Sequence, residues 1–360
     1  MKKILQLGGS FHQSFFIEEL IKNDYHVDCL DNVPDNPGHY YAKNSYNISI
    51  TDIDKIEKII TNENYIISSY GSDIAEISRN ILLGETGNHL KLFEKHSARM
   101  FLKKVFINQR QPDIKIADFK EDKLKNSCVI KPNISSGSKG VFIINSSNKI
   151  RNAINIARNI SKDGVAILEE YINNDGNKYY CEGLIINNNI LLVYGCSKSS
   201  TQSLTWDGSS QITENNISLY TNMSYKEIFN LLKVCIMKLS KAISKDSFAF
   251  NIDFFINGKE IVIIEFATRP GGNLLPLVLE HSYNINYSLT YLSILKGNPK
   301  IIYRKIPFLP IVTQKAINIS ISANKTLKDK NQNNEDNMVT FKRPSSKNNS
   351  HQLAALIYGS

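Results

Sequence analysis

A chain of 360 residues with 42% hydrophobic side chains has the size of two or three domains and the apolar content of a globular protein with a full core. No apolar run approaches the ~18 residues of a membrane span. Met1-Lys2-Lys3 leads only into a short strand pattern before Gly8-Gly9, so a cytoplasmic protein without a signal peptide is expected. The net charge of +9 would allow nucleic-acid binding, but the lysines are scattered and not interleaved with aromatic residues, so no nucleic acid and no membrane partner is expected.

Lys3–Leu7 reads as a strand ending in Gly8-Gly9-Ser10, and a helix pattern follows through Phe16, Leu20 and Ile21. His26–Leu30 is a second strand ending at Asp31, and Val33-Pro34-Asp35-Asn36-Pro37-Gly38 is a polar loop. Asp52–Ile60 is a helix with an acidic start, Tyr65–Ser68 a strand and Asp73–Leu83 a helix. Such alternation predicts an α/β, doubly wound parallel sheet, and residues 1–90 are taken as an N-terminal Rossmann-like domain. Glycines after the first strand and an acid after the second imitate the dinucleotide site of an NAD-dependent oxidoreductase. The G-x-G-x-x-G spacing is absent, however, and tight turns are the simpler reading.

Residues 91–300 follow a different pattern. Leu90 to Ile107 is helical and basic, with Lys95 and Arg99 at i, i+4, where a solvated helix face is the plain reading. Cys128-Val129-Ile130-Lys131-Pro132 is a strand, followed by a loop from Asn133 to Gly140, a strand at Val141–Ile144 and a helix at Lys149–Ile160. Ala166–Leu168 leads into Glu169-Glu170-Tyr171-Ile172, and strands follow around Tyr180–Ile186 and Ile190–Cys196. A helix over Tyr225–Ile243 precedes two strands, and Asn286–Leu295 closes the region, stopped by Lys296-Gly297-Asn298-Pro299. Residues 301–360 form a terminal subdomain, polar from Asn324 to Ser350 and read there as a long mobile loop, then a strand at Leu353–Tyr358. The five cysteines (Cys29, Cys128, Cys181, Cys196 and Cys235) show no metal-type pairing and read mostly as reduced core thiols.

The richest segment is Ile261-Val262-Ile263-Ile264-Glu265-Phe266-Ala267-Thr268-Arg269-Pro270-Gly271-Gly272. A strand delivers an acid and an arginine to a Pro-Gly-Gly turn that cannot continue it. Its hairpin partner, Phe248–Phe255, would set Asp253 beside Glu265, and two adjacent carboxylates suit a hard cation such as Mg²⁺. Arg269 adds a planar fork matched to phosphate or carboxylate. Ser135-Ser136-Gly137-Ser138-Lys139-Gly140 is a loop of small residues able to wrap phosphate oxygens, although no Walker sequence occurs.

With these segments in this order the chain resembles the ATP-grasp superfamily, in the arm of carbamoyl phosphate synthase large-subunit modules, biotin carboxylase and amino-acid ligases. The resemblance covers nearly the whole chain. It implies an ATP-grasp fold at residues 91–300 with a lid at about 125–172, preceded by the doubly wound domain. It matches Lys95 and Arg99 to a lysine and an arginine at the start of the ATP-binding portion, and implies a nucleotide held by Lys95, Lys131, Ser138, Gly140, Glu182 and Lys198, with adenine read by Glu169, Glu170, Tyr171 and Ile172. Asp253 and Glu265 would bind Mg²⁺, or Mn²⁺ in its place, and Arg269 and Lys131 would act on the transferring phosphoryl group. The reaction implied is ATP-dependent ligation of a small-molecule carboxylate to an amine or thiol through an acylphosphate, often by a homodimer. Two alternatives stay open: an ATP-binding regulator without turnover, and a carboxyphosphate- or carbamate-forming enzyme. Two positions depart from the family pattern. Ala267 stands where an asparagine metal ligand is usual, with Asn273 or Thr268 as nearby substitutes. Lys178 stands where a ribose-binding glutamate is usual, with Asp175 as a substitute. His281 reads as a packed or capping residue, and substrate choice falls to the N-terminal loops, Ser199–Asn216 and Gly271–His281.

Overall fold

The apolar alternation of the first domain resolves into four parallel strands, β1 (Lys3–Leu7), β2 (Val27–Leu30), β3 (Asn44–Tyr46) and β4 (Tyr65–Ser68), in the order β3-β2-β1-β4. Helices α1 (Phe11–Lys22), α2 (Pro37–Tyr41), α3 (Ile53–Ile60) and α4 (Asp73–Leu82) connect them. Period-2 alternation sends Leu5, Leu7 and Leu30 towards Ile56 and Ala75, and Ile4, Val27 and Cys29 towards Phe16 and Leu20. The computed structural model describes residues 3–61, 63–118, 126–135, 139–174, 177–198, 209–212, 223–272, 275–304, 317–320, 338–343 and 352–358.

The glycines of this domain serve its own turns. Gly38 N donates to Gly9 O at 2.7 Å, and a Cβ on Gly38 would lie 2.4 Å from Gly9 Cα. Asp31 accepts from Gly9 N (2.7 Å), Val33 N (2.8 Å) and Asn36 Nδ2 (2.9 Å). The acid and glycines that imitate a dinucleotide site are thus spent on one another. The polar loop itself tightens into α2, with Pro37 at the first turn, where its missing N–H is no loss.

The basic stretch after residue 90 is broken: a 3-10 turn over Asn88–Leu92 precedes α5 (Lys95–Val105), with Glu94 extended between them. Next comes a small sheet of β5 (Ile114–Ile116), β6 (Cys128–Pro132), β7 (Phe142–Ile144) and β8 (Ala166–Glu170), in the order β5-β8-β6-β7, with α6 (Ile150–Ile160) packed on it. This small sheet takes in a strand upstream of residue 125, and β8 runs through Glu169 and Glu170 instead of stopping at Leu168.

The third sheet is antiparallel and holds β9 (Asn177–Ile186), β10 (Asn189–Lys198), β11 (Ser209–Ile212), β12 (Phe248–Asn257), β13 (Glu260–Ala267) and β14 (Ile317–Ser320). Their order is β13-β12-β9-β10-β11-β14. Tyr179, Cys181, Phe250 and Phe254 pack on one face against Phe101 of α5 and Leu232 and Ile236 of α7 (Tyr225–Ile243). Leu184, Ile186 and Ala249 pack on the other against Leu279 of α8 (Leu275–Tyr283), Leu292 of α9 (Tyr287–Leu295) and the N-terminal domain. The sequence reading missed α8. In the tail, β15 (Met338–Arg343) pairs with β16 (Gln352–Tyr358), so part of the stretch expected to be a mobile loop is a strand. Its partner supplies the ladder that the local polarity does not announce.

The N-terminal domain and the large sheet touch through backbone. Gly71 N donates to Pro270 O at 3.2 Å, and a Cβ on Gly272 would lie 2.5 Å from Gly71 O. Gly71 also has φ +77, in the left-handed region that suits glycine.

Candidate active site

The hairpin of β12 and β13 sets Asp253 directly opposite Glu265, with an irregularity in the ladder immediately after Asp253. Register from β12 to β9 pairs Asp253 with Tyr180 and Asn251 with Glu182, so alternation lines up a polar row on one face. Lys178 joins that row: its Nζ lies 2.6 Å from Asp253 Oδ2 and 4.9 Å from the centroid of the Tyr180 ring. Burial works against the Lys178 charge, but Asp253 outweighs it and raises the ammonium pKa above its ordinary value.

From the lid, Lys131 Nζ reaches Glu169 Oε2 at 2.7 Å, and Arg99 Nε reaches Glu169 Oε1 at 2.9 Å. Burial lowers the Lys131 pKa, with Glu169 pulling the other way. Burial opposes the Glu169 carboxylate, yet Lys131 and Arg99 hold its pKa below the ordinary value. Arg99 is not on a solvated face, being only 2% exposed. It also donates to Gln111 Oε1 (2.9 Å), Ile264 O (3.0 Å) and Ile263 O. This one side chain clamps β8 of the small sheet to β13 of the large one. Lys95 Nζ donates to Ser135 O at 2.9 Å and lies 3.9 Å from Glu265 Oε1, so lid, α5 and carboxylate hairpin meet at one cleft. Asp73, Ile74, Lys95, Ser135, Glu265 and Ala267 line it.

Arg269, 7% exposed, is turned to the N-terminal domain. Its Nε donates to Asp73 Oδ1 at 2.8 Å, Nη2 donates to the same oxygen, and Nη1 donates to Pro270 O at 2.7 Å. It stands beside the cleft that Asp73 lines. Asp73 itself was legible only as a helix start; nothing local announces its partner. Glu182, expected on the nucleotide, lies elsewhere. It is fully buried, accepting from Tyr287 Oη (2.8 Å), Asn251 Nδ2 (3.0 Å) and Gly271 N (3.0 Å). Burial pushes its carboxyl up to about 8, although Tyr287 and Asn251 pull it down. Its role is to hold the Pro270-Gly271-Gly272 turn. Glu182→Ala leaves Tyr287 Oη and Gly271 N buried without an acceptor and Asn251 Nδ2 with Cys181 O alone, and a loss of roughly 3 kcal/mol in urea unfolding is expected.

The other expected positions fall as follows. Glu170 closes the lid edge: its N donates to Asp113 O at 2.8 Å, and its carboxylate accepts from Arg110 and from Asp113 N. Ile172 is 4% exposed just beyond β8, after the half-buried Tyr171. Gly140 has φ +73, and a Cβ there would lie 2.8 Å from Ile160 Cδ1. Ser138, Asp175 and Asn273 lie outside the described residues. Lys198 is placed by its backbone, paired with Asn177 next to the Ser197–Lys178 pair. His12 is half-buried, its partial burial lowers its pKa to about 4, and its Nδ1 has no hydrogen-bond partner among the described residues. Cys29, Cys128, Cys181 and Cys235 are free and buried, as expected.

The donor set can be weighed against a divalent cation. Asp253 and Glu265 are oxygen donors on paired positions and suit one hard ion, whose remaining positions water and phosphate would fill. Ala267 contributes nothing, and among the described residues no group of three or more His, Cys, Asp or Glu could hold a metal. No helix among them is long and apolar enough to cross a membrane.

Residues 99–281 match the family model described as D-ala D-ala ligase C-terminus. Among solved structures, the chain is similar to an L-amino acid ligase from Bacillus licheniformis (TM-score 0.73, 13% identity, covering 100% of this chain and 94% of that one). It is similar to phosphoribosylglycinamide synthetase from Anaerococcus prevotii (TM-score 0.68, 17% identity, 99% and 93% covered). It is also similar to the biotin carboxylase domain of 2-oxoglutarate carboxylase from Hydrogenobacter thermophilus, solved with magnesium ADP and bicarbonate (TM-score 0.66, 14% identity, 100% and 86% covered). No curated protein matches the chain.

Proposed function

Because the chain belongs to the D-ala D-ala ligase C-terminus family and has the ATP-grasp fold, we propose that it is an ATP-dependent ligase joining a carboxylate to an amine or thiol. The observation that carries this reading is the meeting of Lys95 of α5 and Glu265 of β13 at one cleft, with Asp253 paired to Glu265 across the hairpin and Lys131 of β6 joined to Glu169. In the first step a carboxylate oxygen of the acid attacks the γ-phosphorus of ATP, the bond to the bridging oxygen breaks and ADP leaves. In the second the nucleophile attacks the acyl carbon, phosphate leaves and the nucleophile gives up a proton.

The protein's share is positioning and charge. Mg²⁺ (or Mn²⁺) on Asp253 and Glu265 would supply charge neutralisation at the phosphates. Lys131 and Lys95 offer donors to the phosphate chain, and Arg269, whose Nε–Nη2 edge is held by Asp73, would offer its remaining Nη N–H groups to the acylphosphate. The lid, with the Ser135–Gly140 loop, would exclude the water that competes for the intermediate. Glu169 and Glu170 at the end of β8, with Tyr171 and Ile172 just beyond it, are the proposed adenine segment. A cytoplasmic homodimer acting on small molecules is part of the same reading.

Hydroxylamine trapping tests it. Protein, Mg·ATP, pools of carboxylic acids and hydroxylamine are expected to give hydroxamate and ADP in equal amounts. Bicarbonate-dependent ADP release without hydroxamate would instead favour a carboxyphosphate-forming enzyme. ATP binding without any product across the pools would overturn the ligase reading in favour of a regulator.

A further inference from the structure

Three carboxylates proposed for the nucleotide cleft already face a lysine. Lys131 is 2.7 Å from Glu169, Lys178 is 2.6 Å from Asp253, and Lys95 is 3.9 Å from Glu265. The closest of the three pairs sits on a proposed metal ligand. It is also well enclosed, with side chains 23% and 15% exposed, and the ammonium lies over the Tyr180 ring. An ion pair of this kind, out of bulk water and backed by a ring face, is not readily given up to solvent. Three residues on from Lys178, the same strand carries the core, so the lysine is anchored at a rigid element and not on a loop.

A second observation bears on the same spot. Ala267, the position that closes the carboxylate strand, has no oxygen to offer. A pair of divalent ions would therefore need to share Asp253 and Glu265, one of which is already neutralised. Two dications brought to two carboxylates, with Lys178 and Lys95 beside them, would leave strong repulsion between like charges in a partly buried site.

Resting on the nucleotide-binding reading above, we propose that the Lys178 ammonium is a built-in cation of this site. It stands in for a second divalent ion at Asp253 and directs its remaining N–H donors to the phosphate chain. The site then binds its nucleotide with one divalent ion, carried mainly by Glu265. Lys178 is a phosphate-binding residue in this account, and the departure from a ribose-binding glutamate is a change of task at that position.

The test counts ions. Protein in excess over ADP, so that all nucleotide is bound, is titrated with Mn²⁺ and free ion is read by electron paramagnetic resonance. One Mn²⁺ per bound ADP is expected for the wild type and for Lys178→Arg. Two are expected for Lys178→Gln, which frees Asp253. ADP binding in EDTA, followed by calorimetry, is expected to weaken about tenfold in Lys178→Gln and to survive in Lys178→Arg. Two ions in the wild type, or one ion in both wild type and Lys178→Gln, would overturn the role of Lys178 while leaving nucleotide binding intact. No ADP binding by the wild type with or without Mn²⁺ would overturn the underlying reading as well. The wild-type count decides the matter even if the glutamine variant does not fold.

Discussion

Glu265→Gln is expected to lower kcat by about 100-fold or more while leaving the fold unchanged. The side chain is 43% exposed, so its removal disturbs no packed core. What is lost is charge opposite Asp253, at the point where Lys95 approaches from α5. Glutamine keeps the shape but binds a hard cation less well and cannot balance the lysine. Initial rates with the acid identified by trapping, beside a thermal melt, check the effect. Turnover near that of the wild type would remove Glu265 from the chemistry.

Arg99→Met should be the most damaging single change to stability, at about 3–5 kcal/mol. Arg99 is 2% exposed and joins Glu169, Gln111 and the carbonyls of Ile263 and Ile264. Methionine fills much of the volume, but Glu169 is left with Lys131 alone and two carbonyls lose a donor. Lysine does not rescue the site, because a single ammonium cannot serve partners fixed in a planar fork. The urea midpoint measures the loss; a shift worth under about 1 kcal/mol would mean that other donors replace the guanidinium. The two experiments separate roles: one variant loses rate and keeps stability, the other loses the lid's attachment.

How far the residues announced all this depends on distance along the chain. The parallel sheet was legible because its strands carry continuous apolar runs and its helices begin at Asp52 and Ser72 with side chains that accept from Lys55 N and Ala75 N. The Asp253–Glu265 pair was legible because a hairpin fixes its register locally. What stayed hidden lay in tertiary pairing. Asn44–Tyr46 is a strand of three residues without an apolar pattern, formed because β2 offers an edge. Leu275–Tyr283 starts with Leu-Pro two residues after a Pro-Gly-Gly turn and reads as an apolar run without period. The helix pattern alone put Arg99 on a solvated face with Lys95, and only the resemblance marked the pair as part of the ATP-binding portion; the partners of Arg99 come from β8 and β13. Lys178 showed itself as an oddity, and only the fold brings Asp253 to it.

The glycine-on-glycine approach between residues 71 and 272 bears on how such ligases can be recombined. A junction made of main chain leaves no pair of side chains to trade off in size, so neither half tolerates replacement by itself. An N-terminal domain borrowed from another ligase would have to arrive with a glycine at position 71 and an acid at position 73 to meet Pro270 and Arg269. New substrate ranges in this scaffold are therefore built by transplanting both sides of the junction together, or by editing loops that lie away from it.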